Sequence, residues 1–427
     1  MFKKVTVLVA LLAVLVSMFS FVSAQESTDL SGDLEIFSWW AGDEGPALEA
    51  LIALYNGLYP NVNVINATVT GGSGVNARAV LSNRMLGGNP PSSFQVHAGA
   101  ELTDTWVVAQ RMEDLTFLYE EEGWFDAFPQ GILDLMSYEG GIYSVPVNIH
   151  RSNVMWFNPA KLEEWGVAAP TTWDEFLAVC PTIQEAGVVP LVVGEEWTQR
   201  HLWESVALAV LGAEGWNGFW AGTLAADSAE MVAVWEKFGA VLACTNIDVD
   251  AAGLSWQQAI DKVVAGEAAF NIMGDWAAGY MSTTLGLEPG VGFGYAPSPD
   301  TAGTFMALSD AFGLPVGAPN RDATVAWLKV LGSVDGQNAF NPLKGSIPAR
   351  SDIDVAGNGL YNAYLVATAA DWASNVIVGS LAHGAVGNPR FGSEFSTVLE
   401  IYKSTRDAGA TASALLAICI QSGECGY

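Results

Sequence analysis

The chain has 427 residues, 51% of them hydrophobic, and it carries 46 acidic against 17 basic residues, a formal charge of −29. So acidic a surface repels phosphate backbones and anionic lipid headgroups, which argues against nucleic acid or a membrane surface as the partner. It also argues against an anionic ligand, unless basic residues gather in one cleft. The length exceeds one ordinary core and suits two domains of typical size.

The first segment has the pattern of a secretory signal peptide. Lys3 and Lys4 precede an uncharged apolar run over residues 5–22, and small residues follow up to Ala24. A membrane anchor is the alternative, because the run is just long enough to span a bilayer. No basic stop-transfer cluster follows, so residues 1–24 are predicted to be removed. We expect an exported protein, periplasmic or extracellular, that is soluble because no later segment is long and apolar enough to span.

The elements that follow alternate between strand and helix. Residues 34–38 are predicted as a short strand, and residues 43–46 begin a helix with acidic residues and Pro in its first turn. Apolar residues at helical spacing over 48–58 give that helix one buried face. Residues 62–69 alternate as a second strand. Strand, helix and strand in this order predict parallel pairing through a right-handed crossover.

The same signals recur further along the chain. Residues 141–147 form an extended segment that suits a passage between domains, and residues 172–175 open a helix with a capping-box pattern. The other predicted elements are helices at 77–85, 256–264 and 322–331 and strands at 93–97, 188–193 and 268–273. The pattern predicts an α/β protein whose lobes are built from non-contiguous segments.

Four cysteines, at positions 180, 244, 419 and 425, match no zinc motif. Export would place them in an oxidising compartment, where disulfides form. Of the three possible pairings we favour Cys180 with Cys244 and Cys419 with Cys425, the second closing a small loop. Buried free thiols are the alternative.

Motifs of the common enzyme classes are missing from the sequence. The glycine-rich segment 71–74 lacks the Lys-Ser/Thr ending of a phosphate loop, and neither HExxH nor GxSxG occurs. The four histidines, at positions 97, 150, 201 and 383, are too scattered for a metal site to be predicted. We therefore expect no cofactor, no metal and no catalysis, although the many acidic residues leave a glycosidase carboxylate pair open.

Tryptophan stands out, with 16 residues. Any single Trp is more often structural than functional, but Trp39 and Trp40 end a strand just before a helix, where ligands of parallel sheets bind. A sugar ring presents a flat C–H face that complements an indole, and its hydroxyls need fixed donors and acceptors. This position favours a carbohydrate ligand.

Three segments, in this order along the chain, carry a family resemblance. They are Phe37-Ser-Trp-Trp-Ala-Gly-Asp-Glu-Gly45, Phe94-Gln-Val-His-Ala-Gly99 and Ala268-Ala-Phe-Asn-Ile-Met-Gly-Asp-Trp276. Together they resemble the family 1 extracellular solute-binding proteins of ABC sugar importers, over nearly the whole mature chain. The Gly-Asp-Trp segment indicates only the broad family, whereas Trp-Trp with Gln-x-His is more specific to the glucose-, galactose- or mannose-binding branch.

The resemblance implies a periplasmic-binding-protein-like fold, in which a hinge joins two α/β lobes and the sugar binds in the cleft between them. By analogy, residues 33–146 and 304–348 form the N-terminal lobe. Residues 147–303 and 349–427 form the C-terminal lobe.

The resemblance also implies the sugar-binding residues. Trp39 and Trp40 would stack on the ring or wall it, and Trp256 would cover it from the other lobe. The polar candidates are Glu44, Gln95, His97, Asp310, Lys344 and His383. Asp275 and Trp276 are placed beside the cleft, with a core and capping role as an equal alternative. A Lys and an Asp that offset each other suit a neutral, polyhydroxylated ligand, because charged groups make strong hydrogen bonds to hydroxyls.

We expect a monomer that captures a monosaccharide by lobe closure, glucose first and galactose or mannose next. Its other partner would be the permease of an ABC transporter, to which it delivers the sugar. One alternative is a secreted carbohydrate-active hydrolase with Glu44 or Asp310 as acid and base. The other is an oligosaccharide-binding member of the same family.

Overall fold

The computed structural model describes residues 29–71 and 74–427, so the predicted signal peptide lies outside the described residues. The strands are β1 Gly32–Phe37, β2 Val62–Asn66, β3 Ser93–His97, β4 Ser137–Tyr138, β5 Gly141–Ile142, β6 Ser144–Pro146, β7 His150–Arg151, β8 Val154–Phe157, β9 Val189–Leu191, β10 Ala268–Met273, β11 Gly294–Pro297, β12 Thr304–Leu308, β13 Asp310–Gly313 and β14 Val376–Gly379.

The helices follow the same alternation along the chain. They are α1 Gly45–Leu58, α2 Val75–Leu86, α3 Ala100–Leu102, α4 Thr116–Glu121, α5 Trp124–Ala127, α6 Gln130–Met136, α7 Pro159–Trp165, α8 Trp173–Glu185, α9 Glu196–Trp220, α10 Ala229–Leu242, α11 Trp256–Ala265, α12 Trp276–Gly279, α13 Arg321–Gly332, α14 Val334–Lys344, α15 Ala363–Ser374, α16 Pro389–Thr405 and α17 Ala408–Ser422. Helix α9 is interrupted at Gly212, whose φ of 66° is not helical.

Local sequence signals placed most elements correctly. The strand predicted at 268–273 is β10, and the capping box at Thr172 is formed, because its side chain accepts from Glu175 N and the Glu175 side chain returns to the N-cap backbone. The second strand was predicted too long, since β2 ends at Asn66. Val69 N instead donates to Ser38 O at 2.9 Å, beyond the sheet ladder.

The first lobe is built on a five-stranded sheet of order β2-β1-β3-β13-β6. Strand β1 runs parallel to β2, as predicted, and it also runs parallel to β3, whereas β13 runs antiparallel to β3 and β6. The core around it takes its buried hydrophobic residues from 34–149 and 305–349. Two distant parts of the chain therefore share one core.

The second lobe contains a four-stranded sheet, β11-β8-β10-β9, and a three-stranded sheet, β14-β12-β7. Helix α9 packs against both sheets, through β10 and β14, and places Trp203 and Trp216 in the core. Two disulfides, Cys180–Cys244 and Cys419–Cys425, lie in this lobe and form the pairing favoured from the sequence.

The chain crosses between the lobes where strands of different sheets follow each other directly. Strand β6 belongs to the first lobe and β7 to the second, and only Ser309 separates β12 from β13. Backbone bonds join the crossings, since Val147 N donates to Asp310 O at 2.9 Å and Ile149 N donates to Ile347 O at 2.8 Å. The prediction of two α/β lobes is confirmed, and the short hinge brings their strand ends together.

Within residues 29–71 and 74–427, none of the helices has both the length and the apolar character needed to span a membrane.

Candidate functional site

The site begins where the strands of the first lobe end. Trp39 and Trp40 follow β1, and His97 ends β3, so all three lie at the same edge of the sheet because the two strands are parallel. Strand β13 runs the other way, and its first residue, Asp310, lies opposite His97. Parallel and antiparallel pairing thus bring residues far apart in sequence to one edge.

At this edge the two lobes meet around a small cavity of about 20 Å³. Its walls are formed by Trp39, Trp40, Glu44, His97, His150, Trp256, Trp276, Leu308, Lys344 and His383. This volume is far below that of a pocket holding a small molecule, so a ligand enters only when the walls move apart. Aromatic rings and a few polar groups, contributed by both lobes, surround it.

Gln95 and Asp310, two predicted sugar-binding residues, lie directly behind this wall. The Gln95 side chain accepts from Trp39 N at 3.1 Å and donates to Asp310 Oδ1 at 2.9 Å. Asn148, in the hinge, donates to Asp310 Oδ2 at 2.9 Å. Burial opposes ionisation of Asp310, but His97 and Lys344 outweigh it and hold its pKa below the usual value. Asp310 is therefore the fixed anion of the site.

Lys344 is the cation of the cavity wall. It ends α14, is 4% exposed, and its Nζ lies 2.7 Å from Glu44 Oε1. The same Nζ stands 5.7 Å from the ring centre of Trp40 and 6.0 Å from that of Trp276, one indole from each lobe. A cation between two aromatic faces is held electrostatically while its other N–H groups stay free to bind hydroxyls.

The two residues predicted beside the cleft have different positions. Trp276 forms part of the wall, whereas Asp275 is fully buried behind it. Asp275 accepts from Arg151 N at 3.0 Å and contacts His150 Nδ1. Asp275 therefore supports a wall residue and does not face the cavity.

A chain of charged side chains supports His97, and no sequence pattern indicated it. The Glu101 carboxylate accepts from His97 Nδ1 at 2.8 Å and lies 3.5 Å from Arg78 Nη1. The Arg78 guanidinium covers the ring of Trp39 at 5.6 Å. Burial opposes ionisation of Glu101, but Arg78 and His97 outweigh it and lower its pKa to about 2.

This shift predicts a pH-dependent contribution of Glu101 to stability. A carboxyl group whose pKa falls on folding stabilises the protein above its unfolded pKa, here 4.5, and loses that effect as the pH falls toward 2. We expect Glu101→Gln to lower the free energy of unfolding by up to about 3 kcal/mol at pH 7 and by little near pH 2. Denaturant unfolding at both pH values measures this.

The control for that change is Glu400→Gln, since Glu400 is 59% exposed and pairs with Lys403, three residues further along the same helix. It should alter stability by a few tenths of a kcal/mol at either pH. An equal loss for Glu101→Gln at pH 7 and pH 2 would contradict the assigned role of its charge.

The four histidines, too scattered in sequence to interpret, converge in the fold. The ring centres of His97 and His383 are 5.6 Å apart, and those of His201 and His383 are 5.4 Å apart. His201 Nε2 donates to the carbonyl of Ser152 at 2.9 Å, so its Nδ1 accepts from His383 Nε2 at 3.2 Å. Burial lowers the pKa of His201 to about 4 and that of His383 well below its usual value, so both rings are neutral at pH 7.

His201, Glu204 and His383 place ligand atoms within 4.8 Å of one another, the spacing of a possible metal site. Each of them already has internal partners. Glu204 accepts from Leu381 N at 2.7 Å and Ala382 N at 2.9 Å, and burial raises its pKa to about 7. We interpret the group as an anchor for the loop that carries His383 to the wall.

Two wall residues, His150 and Leu308, were not predicted from the sequence. Both flank the hinge, at the start of β7 and the end of β12. The extended segment 141–147, predicted to run between domains, could have indicated His150. A polar residue just beyond such a segment lies next to the cleft between the lobes.

The chain matches the family model described as bacterial extracellular solute-binding protein over residues 40–338. It is 32% identical over 401 residues to an ABC transporter extracellular-binding protein of Pyrococcus horikoshii, covering 92% of this chain and 89% of that one. It is 29% identical over 402 residues to the xylose/arabinose-binding protein XacG of Haloferax volcanii, covering 92% and 86%.

The fold has solved counterparts as well. The bacterial solute receptor AcbH, described as preferring β-D-galactopyranose, superposes with a TM-score of 0.80 at 16% identity, covering 92% of this chain and 99% of that one. At this identity the likeness bears on the fold alone, and it agrees with the two lobes and interlobe cavity described above. The chain is a member of the bacterial extracellular solute-binding protein family.

Proposed function

We propose that this protein binds one monosaccharide, glucose first and galactose or mannose next, and delivers it to the permease of an ABC transporter. The observation that carries the proposal is the interlobe site, whose walls combine indoles of both lobes with the charged side chains of Glu44 and Lys344. Indoles match the C–H faces of a pyranose, and fixed charged groups bind its hydroxyls.

The enclosure favours a monosaccharide over an oligosaccharide. Trp39, Trp40, Trp256 and Trp276 are 8%, 1%, 5% and 7% exposed, so the aromatic wall is closed on the sides of both lobes. A longer sugar would need aromatic rings that continue along an open cleft. The closed aromatic wall therefore favours a single ring, which would enter when the lobes move apart.

The chemistry of the carboxylates favours binding over hydrolysis. A glycosidase needs one carboxylic acid that donates a proton near neutral pH, which requires a raised pKa. His97 and Lys344 instead outweigh burial and lower the pKa of Asp310. Glu44 is paired with the ammonium of Lys344 at 2.7 Å. Neither residue is placed to act as the acid that the hydrolase alternative requires.

We propose capture by lobe closure. The limits that we propose are residues 33–146 and 304–348 for the N-terminal lobe and 147–303 and 349–427 for the C-terminal lobe. Since Trp256 and His383 come from one lobe and Trp40 and Lys344 from the other, a ligand that contacts all four stabilises the closed arrangement. The exported, monomeric protein would then present its closed surface to the permease.

The test is thermal unfolding of the protein, without residues 1–24 and with co-purified ligand removed, against glucose, galactose, mannose, xylose, arabinose and maltose. The pentoses belong in the panel because the Haloferax relative is named for them. A sugar at 100 times its Kd stabilises the fold by about 2.7 kcal/mol and raises the melting temperature.

We expect the largest rise with a hexose. A larger rise with maltose would favour the oligosaccharide alternative, and release of sugar from a glycoside would favour the hydrolase. No rise with any monosaccharide at millimolar concentration would refute the proposal.

A further inference from the structure

His150 carries a buried nitrogen that lacks a partner at the cavity. The residue is 1% exposed, forms part of the cavity wall, and its Nε2 makes no hydrogen bond within residues 29–71 and 74–427. Asp310 Oδ2 lies 3.7 Å from it, too far for a direct hydrogen bond. Leaving such an atom unpaired in the interior is destabilising, and a bound hydroxyl removes that penalty.

The ring of His150 is held firmly in place. Its Nδ1 contacts Asp275 Oδ1, while Asp275 Oδ2 accepts from Arg151 N at 3.0 Å. The ring also meets Trp276 edge to face, with centres 5.4 Å apart and planes at 87°. Asp275 and Trp276 together direct Nε2 toward Asp310 and the cavity.

The neighbours decide which nitrogen of His150 carries the proton. A carboxylate oxygen such as Asp310 Oδ2 only accepts, so a lone pair on Nε2 would face another lone pair, whereas an N–H would not. With the proton on Nε2, Nδ1 must accept, and Asp275 must then donate as a carboxylic acid. Burial raises the pKa of Asp275 well above its usual value and lowers the pKa of His150 to about 3, in agreement with that assignment.

We propose that His150 is a further sugar-binding residue, whose Nε2–H donates to one ligand hydroxyl, and that Asp275 is a protonated positioning residue that fixes this tautomer. The inference rests on the proposed monosaccharide function and adds a polar contact from the hinge. Because Asp310 Oδ2 lies 3.7 Å from Nε2, the same hydroxyl can donate to Asp310. One sugar hydroxyl would thus accept a hydrogen bond from His150 and donate one to Asp310. A sugar that lacks this hydroxyl would make neither bond.

The first test is calorimetric titration of wild type, His150→Leu and His150→Gln with glucose and its monodeoxy derivatives. In wild type, removal of the recognised hydroxyl should weaken binding about 10- to 100-fold. In His150→Leu, the Kd values of glucose and of the derivative that lacks this hydroxyl should lie within about threefold of each other. The other deoxy derivatives should lose as much affinity relative to glucose as they do in wild type. Gln presents an amide N–H near the Nε2 position and should restore part of the difference.

The second test compares Asp275→Asn with Asp275→Ala. The Asn amide can donate to His150 Nδ1 and accept from Arg151 N, as a protonated Asp does, so glucose affinity should stay within about threefold of wild type. Asp275→Ala should lose 10-fold or more. Equal losses of glucose affinity in both variants would overturn the positioning role. Lower melting temperatures would overturn it as well if the affinities for glucose and for the deoxysugars stayed unchanged.

Nitrogen-15 NMR of the histidine rings in the ligand-free protein separates this inference from the proposed function. The expected signal for His150 is the neutral Nε2–H tautomer. An Nδ1–H tautomer overturns the inference even if glucose binds. Wild-type protein that shows the expected tautomer but binds no monosaccharide refutes the proposed function, and the sugar-binding role of His150 with it.

Discussion

Lys344→Met should raise the Kd for the bound monosaccharide about 10- to 150-fold while the protein stays folded. Lys344 is 4% exposed, and its ammonium stands between the indoles of Trp40 and Trp276. Its hydrogen bonds to a ligand would therefore form in a site with little water. Hydrogen bonds to a charged group contribute about 1.5–3 kcal/mol. Met retains the apolar length of the side chain and removes the charge, and calorimetric titration measures the change.

Lys262→Met is the matched control. Lys262 is also ion-paired, with Asp250 and Glu267 at 3.5 Å each, but it lies on α11 outside the cavity wall. Its loss should leave the Kd unchanged. If both variants bind the sugar like wild type, Lys344 is not a ligand contact and its pairing with Glu44 is purely structural.

Trp256→Ala should weaken sugar binding at least 30-fold, the second large effect. Trp256 is the first residue of α11, capped by Ser255, and its ring packs against Tyr280 with centres 5.6 Å apart. It belongs to the cavity wall on the side of the second lobe. Truncating an aromatic anchor of a binding site commonly costs 2 kcal/mol or more. The melting temperature should fall as well, because the side chain is 5% exposed.

The control for that loss of packing is Trp372→Ala. Trp372 is partly buried against Phe305, with ring centres 5.3 Å apart, and lies outside the cavity wall. It should lower the melting temperature and leave the Kd unchanged. Wild-type affinity in folded Trp256→Ala protein would remove this residue from the proposed site.

Both predictions depend on a site that the sequence outlined only in part. The Trp-Trp pair after β1 indicated a ligand site from the sequence. Its position between the end of a strand and the start of a helix can be predicted without knowledge of the tertiary structure. The joint placement of Glu44, Lys344 and His383 came only through the family resemblance, since residues 300 positions apart carry no mutual signal. Their individual roles as sugar contacts remain predictions that the variants above address.

The sequence by itself determined the elements and the class of the fold. Helical spacing, capping residues and alternation are local properties, so β1, β3, α11 and β10 were predicted to within a few residues. The pairing of the four cysteines also followed from their positions and the expected compartment. The helices and strands depend on neighbours along the chain, whereas Cys180 and Cys244 lie 64 positions apart, so their pairing was favoured only among the three possible ones.

The tertiary structure alone decided which polar groups meet. The antiparallel register of β13 sets Asp310 opposite His97, and the hinge brings His150 to the same edge, close to Asp310. Burial and these contacts then set the charge states, lowering the pKa of Glu101 and raising that of Asp275. Register and burial arise from contacts between distant segments, and the free energy of an ionised group depends on its surroundings in space, which no local pattern encodes.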